Sequence, residues 1–151
     1  MGYHLTVLRT RGEQQLPISQ QEFSAAARAL PELRLEDDGD AARYERDGEL
    51  RARLFWNDGE IWTKGPEDDV IVVLVALAEK LSARVRGDAL ETYRGPGDCY
   101  THPDDAPAVA EDHRRTQQIR RRRRLRRTLA KLTVVALALT YVAIVLVNVL
   151  R

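Results

Sequence analysis

Hydrophobic residues change their spacing several times along this chain, and each change predicts an element. Tyr3-His4-Leu5-Thr6-Val7-Leu8-Arg9 alternates with a period of two, the mark of a strand with one buried face. His4 falls on the other, surface or edge, side. Arg11-Gly12-Glu13 turns the chain. Ser19 and Glu22 stand at capping-box spacing, which predicts a helix running to about Leu30, with Phe23, Ala26, Ala27 and Leu30 on one face and Pro31 at its end. The polar loop Glu36-Asp37-Asp38-Gly39-Asp40 leads to a short strand over Ala42–Arg46. Asp47-Gly48 turns it into Leu50–Asn57, and Asp58-Gly59 turns that strand into another reaching Lys64. The second of these turns fixes a register, pairing Trp56 with Ile61 and Phe55 with Trp62.

Pro66–Asp69 opens a second helix, its body running from Val70 to Leu81. Nine consecutive apolar residues, Val70–Ala78, occupy every side of its first turns. They are too few to cross a bilayer, so the helix must be packed on several sides or meet a partner. Arg84-Val85-Arg86 predicts a last strand. Tyr93–Asp105, with Gly95-Pro96-Gly97 and Pro103, reads as loop.

The pattern then changes character. Leu132–Leu150 is 19 residues without a charge, a Gly or a Pro. At ~1.5 Å per residue a helix of that length covers about 28 Å, close to the ~30 Å hydrocarbon core of a bilayer. A soluble core able to bury such a helix on every face is more than the remaining ~110 residues can build. Asp104-Asp105-Ala106-Pro107 reads as a helix start, and one long helix is expected from about Ala106 to Leu150. The expected fold class is therefore α+β: a small, mostly antiparallel sheet with two helices, followed by a long C-terminal helix that includes one transmembrane span. The expected divisions are a soluble head over residues 1–95, a linker and helix start over 96–113, a basic stalk over 114–131 and a membrane helix over 132–150.

Charge sharpens this picture. The whole chain carries a formal +1, but residues 1–113 hold all 23 acidic and 13 of the 24 basic residues, a net −10, and residues 114–131 hold ten basic residues and no acid. Arg120, Arg121, Arg122, Arg123, Arg124, Arg126, Arg127 and Lys131 crowd the N-terminal side of the apolar segment, whereas Arg151 alone flanks the other. The positive-inside rule then leaves the head in the cytoplasm. These cations are expected to touch anionic lipid headgroups, at about 1 kcal/mol each near the surface. A nucleic-acid patch is the weaker reading, because no aromatic residue interleaves the arginines. The first ten residues contain no apolar run of the kind a secretory signal needs, and a span so near the C-terminus implies tail-anchored insertion. The lone Cys99 excludes an intrachain disulfide.

Three stretches carry a resemblance. Met1-Gly2-Tyr3-His4-Leu5, Asp58-Gly59-Glu60-Ile61-Trp62-Thr63-Lys64-Gly65-Pro66, and Ala78-Glu79-Lys80-Leu81-Ser82-Ala83-Arg84-Val85-Arg86-Gly87-Asp88 with Glu91 and Tyr93 after it resemble a group of small bacterial proteins of unknown function. Those proteins have an extended start, a hairpin ending in Lys-Asn-Pro, and a helix leading to Gly-Ala-Arg-Val-Gln-Gly-Asp. Here Gly65 stands for the Asn and Ser82 for the first Gly. The resemblance covers residues 1–95 and not the tail. It implies a compact α+β domain and a bacterial source, hence the inner membrane as location, and it supplies no catalytic residues.

Candidate chemistry is sparse. Cys99 and His102, with Asp104 or Asp105 to orient the ring, have the residue types of a thiolate–imidazole pair, but they follow a Gly-Pro-Gly loop with few apolar neighbours to exclude water. Turn and cap roles explain them better. His102 and His113 lack the spacing of paired metal ligands, and Asp37, Asp38 and Asp40 lack the rest of a calcium loop. No phosphate loop, dinucleotide motif or nucleophile elbow occurs, so no enzyme, cofactor, metal site or small-molecule substrate is expected. Trp56 and Trp62 must point to opposite faces of the sheet, so one face shows aromatic surface that a helix, a partner or the membrane would cover. Phe55, Trp56, Trp62, Val72 and Val73 are the candidate interaction surface. The expected role is a membrane-tethered, non-enzymatic interaction module with a protein partner; a self-associating structural membrane protein is the alternative, and a hydrolase dependent on Cys99 and His102 the weaker one.

Overall fold

Strand β1 (His4–Arg11) forms where the sequence alternates, but it is the centre of the sheet and not an edge. The computed structural model describes residues 2–12, 14–65 and 67–119. The chain divides into two units, Met1–Ala108 and Val109–Arg151. In the first, β2 (Gln14–Leu16) folds back on the end of β1, and α1 (Gln20–Arg28) carries the chain outward to β3 (Leu33–Leu35). The meander β3, β4 (Ala41–Arg46), β5 (Glu49–Asn57) and β6 (Glu60–Lys64) then returns to β1. Helix α2 (Asp68–Lys80) crosses to the other side of β1, where β7 (Arg84–Gly87), β8 (Thr92–Gly95) and β9 (Asp98–Tyr100) form a second meander. The strand order is β3-β4-β5-β6-β1-β7-β8-β9, and every pairing among the described residues is antiparallel.

The α+β class and the predominantly antiparallel sheet are as the sequence implies, although the sheet is larger than expected. Three-residue strands β2, β3 and β9 are too short to show a period, and only their neighbours make them strands. The stretch read as loop after Tyr93 is in fact the β8–β9 hairpin, turned at Gly97 with φ +71°.

Local chemistry explains the elements. The Ser19 hydroxyl accepts from the Glu22 amide at 3.2 Å and the Glu22 carboxylate accepts from the Ser19 amide at 2.8 Å, so two orphan donors of α1 are satisfied reciprocally. Arg9 adds hydrogen bonds to the same carboxylate at 3.0 Å. The Ser19 amide first, then Arg9 and the Ser19 hydroxyl, hold the Glu22 carboxyl down at about 2. Asp47-Gly48 and Asp58-Gly59 both have positive φ at each position, the two-residue hairpin geometry whose twist matches the flanking strands. The resulting register pairs Phe55 with Trp62 and Trp56 with Ile61, as expected.

Both helices pack on one face of the sheet. Phe23, Ala26 and Ala27 of α1 and Val70, Ile71, Val73, Leu74, Leu77 and Ala78 of α2 share one core with Leu5, Val7, Ala42, Leu54, Ile61 and Val85. The uniformly apolar start of α2 is largely explained by this packing: Val72 alone in that run is exposed, at 54 %. Residues 106–119 are helical. No helix among the described residues is long and apolar enough to cross a membrane. The apolar segment 132–150, the cations Arg120–Lys131 and the remainder of the expected long helix lie outside the described residues.

Candidate interaction surface

The period of two in β1, β5, β6 and β7 sends alternate side chains away from the helices, and the register shows which meet. Phe55, Trp62, Thr6 and Arg86 lie opposite one another in turn across β5, β6, β1 and β7. Arg34, Arg43 and Arg53 form a second cross-strand row over β3, β4 and β5. His4 and Lys64 pair beside the first row.

Two ends of this face differ. Toward β7 and β8 it is closed by the chain after β9. Asp105 is buried, and its carboxylate accepts from both terminal nitrogens of Arg84, one at 3.0 Å, and from Arg86 at 3.3 Å. Arg84 also donates to Thr92 at 3.1 Å and Thr10 at 3.3 Å, and Thr10 donates to Asp104 at 2.6 Å. Burial pushes the Asp105 carboxyl up, but hydrogen bonds and charge from Arg84, with Arg86, outweigh it and hold the group below the usual carboxylate range. This network staples the 3₁₀ turn Pro103–Asp105 to the sheet, and Leu8, on the face opposite α1 and α2, is fully buried.

Toward β5 and β6 no element of the described residues covers the face. Phe55 and Trp62 stack at 4.8 Å between centroids with 24° between planes. The Arg53 guanidinium lies over Phe55 at 4.9 Å, and the His4 ring meets Trp62 nearly edge-on at 6.0 Å and 70°. A hollow of about 390 Å³ over this group is lined by Arg51, Arg53 and Lys64 as well as the two rings, with no carboxylate in its lining. Arg51 and Arg53 pair outside it, with Glu67 and Asp69 and with Glu36 respectively.

The five residues singled out in the sequence therefore separate. Phe55 and Trp62 are brought together on the face opposite α1 and α2. Trp56 points to the helical side, packs against the core, and donates its indole N–H to the Ile18 carbonyl at 2.7 Å, which ties the loop before α1 to the hairpin. Val73 is buried at 7 %, so it belongs to the core. Val72 is exposed on α2, beside an acidic hollow lined by Asp47, Glu49, Glu67, Asp68 and Asp69. The cations around Phe55 and Trp62 escaped the sequence reading, yet part of the signal was there: Arg53 and Phe55, then Trp62 and Lys64, occur at every second residue, whereas Arg51 sits where the β4–β5 register shifts.

Cys99 is exposed on β9. His102 caps the 3₁₀ turn, its Nδ1 accepting from the Asp104 amide at 3.2 Å, and among the described residues no hydrogen bond joins it to Cys99. No group of three or more His, Cys, Asp or Glu able to hold a metal occurs among the described residues. In comparisons with known proteins, no family model, no curated protein and no solved structure matches this chain.

Proposed function

We propose that this protein is a membrane-tethered interaction module, not an enzyme, and that its docking surface is the end of the sheet face opposite α1 and α2 around Phe55 and Trp62. One observation carries the surface: two large aromatic side chains remain partly exposed and stacked on a face that the described residues cover at its other end but not here. Half-covered aromatic pairs bordered by arginine are the composition of interface centres, where Trp, Tyr and Arg anchor binding. The tether rests on the sequence: 19 uncharged residues at 132–150 with ten cations on their N-terminal side. In this reading the head is cytoplasmic at a bacterial inner membrane, and Arg120–Arg127 with Lys131 lie against anionic headgroups. Confinement beside the bilayer raises the effective concentration of the head toward other membrane components. Self-association through the same face is the second reading, supported by the same aromatic pair.

Full-length protein is expected to stay in the membrane pellet after alkaline carbonate. Purification in mild detergent is expected to retain a partner, or a second copy, that Trp62→Thr loses. Release into the carbonate supernatant contradicts the tether, and a partner retained equally by Trp62→Thr contradicts the surface.

A further inference from the structure

The ladder between β1 and β7 stops at Leu8–Arg84, while β1 itself continues to Arg11. Where the ladder stops lies a hollow of about 130 Å³, lined by Arg9, Thr10, Ser82, Arg84 and His102 and by no carboxylate. A single water needs about 10–15 Å³, so the hollow admits a group of several atoms.

Its walls are rich in unmet donors. Among the described residues only three buried side-chain polar atoms lack a hydrogen-bond partner, and two of them, Nε of Arg9 and Nε of Arg84, belong to side chains that line this hollow. Only 10 % of the Arg84 side chain is exposed, so its Nε–H is withdrawn from bulk water. Buried N–H groups without a partner are rare, because each forfeits its hydration. His102 adds another donor. Its Nδ1 accepts from the Asp104 amide, which puts the ring proton on Nε2, and Nε2 makes no hydrogen bond among the described residues. The Ser82 hydroxyl makes none there either.

Net charge does not select the ligand. Arg9 and Arg84 use their terminal nitrogens on Glu22 and Asp105, and Asp104 accepts from Thr10 beside them. The two guanidinium groups are thereby neutralised and held in place. What remains is a demand for acceptors from three segments: β1, the turn after α2, and the chain after β9. A planar carboxylate offers two oxygens. A phosphate group offers at least three strong acceptors, spread tetrahedrally.

We infer that this hollow binds a phosphate-class oxyanion, as the free ion or as the end of a phosphate monoester, through Nε of Arg9, Nε of Arg84, Nε2 of His102 and the Ser82 hydroxyl. A solute phosphate and a lipid monoester headgroup share this chemistry.

The test follows thermal unfolding of the full-length protein in maltoside micelles at neutral pH by tryptophan fluorescence. The probes are inorganic phosphate, exchanged against chloride at constant ionic strength, and phosphatidate mixed into the micelles. The midpoint is expected to rise by about 4 °C or more at ten times the Kd, and acetate is expected to leave it unchanged. A rise with free phosphate supports the site with a solute ligand; a rise with phosphatidate alone supports it with a lipid one. At residue 82 φ is +48°, which Asp tolerates, so Ser82→Asp sets a carboxylate at the hollow and is expected to abolish the rise. His102→Asn keeps an acceptor for the Asp104 amide, removes Nε2, and is expected to weaken the anion at least five-fold. No rise with either probe, water alone filling the hollow, overturns the proposal. So does a rise undiminished in both variants, since the anion then sits elsewhere, as on the arginines of 120–127.

Discussion

Replacing Asp105 with Asn isolates the network that closes one end of the sheet face opposite α1 and α2. Asp105 has 5 % and Arg84 10 % of its side chain exposed, so the guanidinium cannot turn to water when its partner loses charge. An uncompensated buried charge of this kind costs about 3–5 kcal/mol, a large part of the roughly 5–15 kcal/mol that holds a domain together. At about 4 °C or more per kcal/mol for a domain of this size, the melting midpoint should fall by roughly 12–25 °C. Asp105→Leu with Arg84→Met removes both charges and should recover to within about 2 kcal/mol of wild type, because neither ion is then stranded. The pH dependence has a definite sign. The folded pKa of Asp105 lies below its ordinary 3.8, so its contribution is complete above about pH 4 and is lost as pH falls through the folded value; Asp105→Asn lacks that acid limb. Both tryptophans lie in the sheet, so intrinsic fluorescence during thermal or urea unfolding reports this unit within the full chain. A midpoint within about 3 °C of wild type for Asp105→Asn, or a double variant as unstable as the single one, would refute the reasoning.

Three further outcomes follow from the same structure. Gly59→Ala should destabilise by roughly 1–3 kcal/mol in urea unfolding, since φ is +86° and the new Cβ would meet Pro17 at 2.7 and 2.9 Å; Gly48→Ala, with φ +80° but open space, should cost less. Ser19→Ala removes the cap of α1 and should cost about 1 kcal/mol by the same assay, with the Glu22 carboxyl, followed by NMR, rising above about 2 but staying below its ordinary 4.5, because the Ser19 amide and Arg9 still hold it. Leu54→Ala, in a fully buried position at the centre of the core, should cost about 2–5 kcal/mol.

Much of the fold was legible because its signals are local. Ser19 with Glu22 marked α1, Asp58-Gly59 set the aromatic register, and the apolar start of α2 announced a helix packed on several sides. What escaped depends on neighbours distant in sequence. β3 and β9 are strands only because Tyr44 and Tyr93 lie beside them. Asp105 was read as a helix-start residue; its burial under Arg84, 21 residues earlier, is a tertiary fact with no local pattern. The candidate surface was half legible. Opposite faces for Trp56 and Trp62 follow from strand geometry, but which face the helices would cover does not. Val72 and Val73, adjacent on a helix, point about 100° apart, and only packing decided that one is exposed and the other buried.

The central claim is that the end of the sheet face around Trp62 meets a partner in the cell. The direct measurement is site-specific photocrosslinking in living bacteria expressing the full chain, with a benzoylphenylalanine residue at position 62 or, as control, at the exposed position 79 on α2. The account predicts a discrete higher-mass adduct in the membrane fraction from position 62 and none from position 79. An adduct from position 79 with none from position 62 would contradict it.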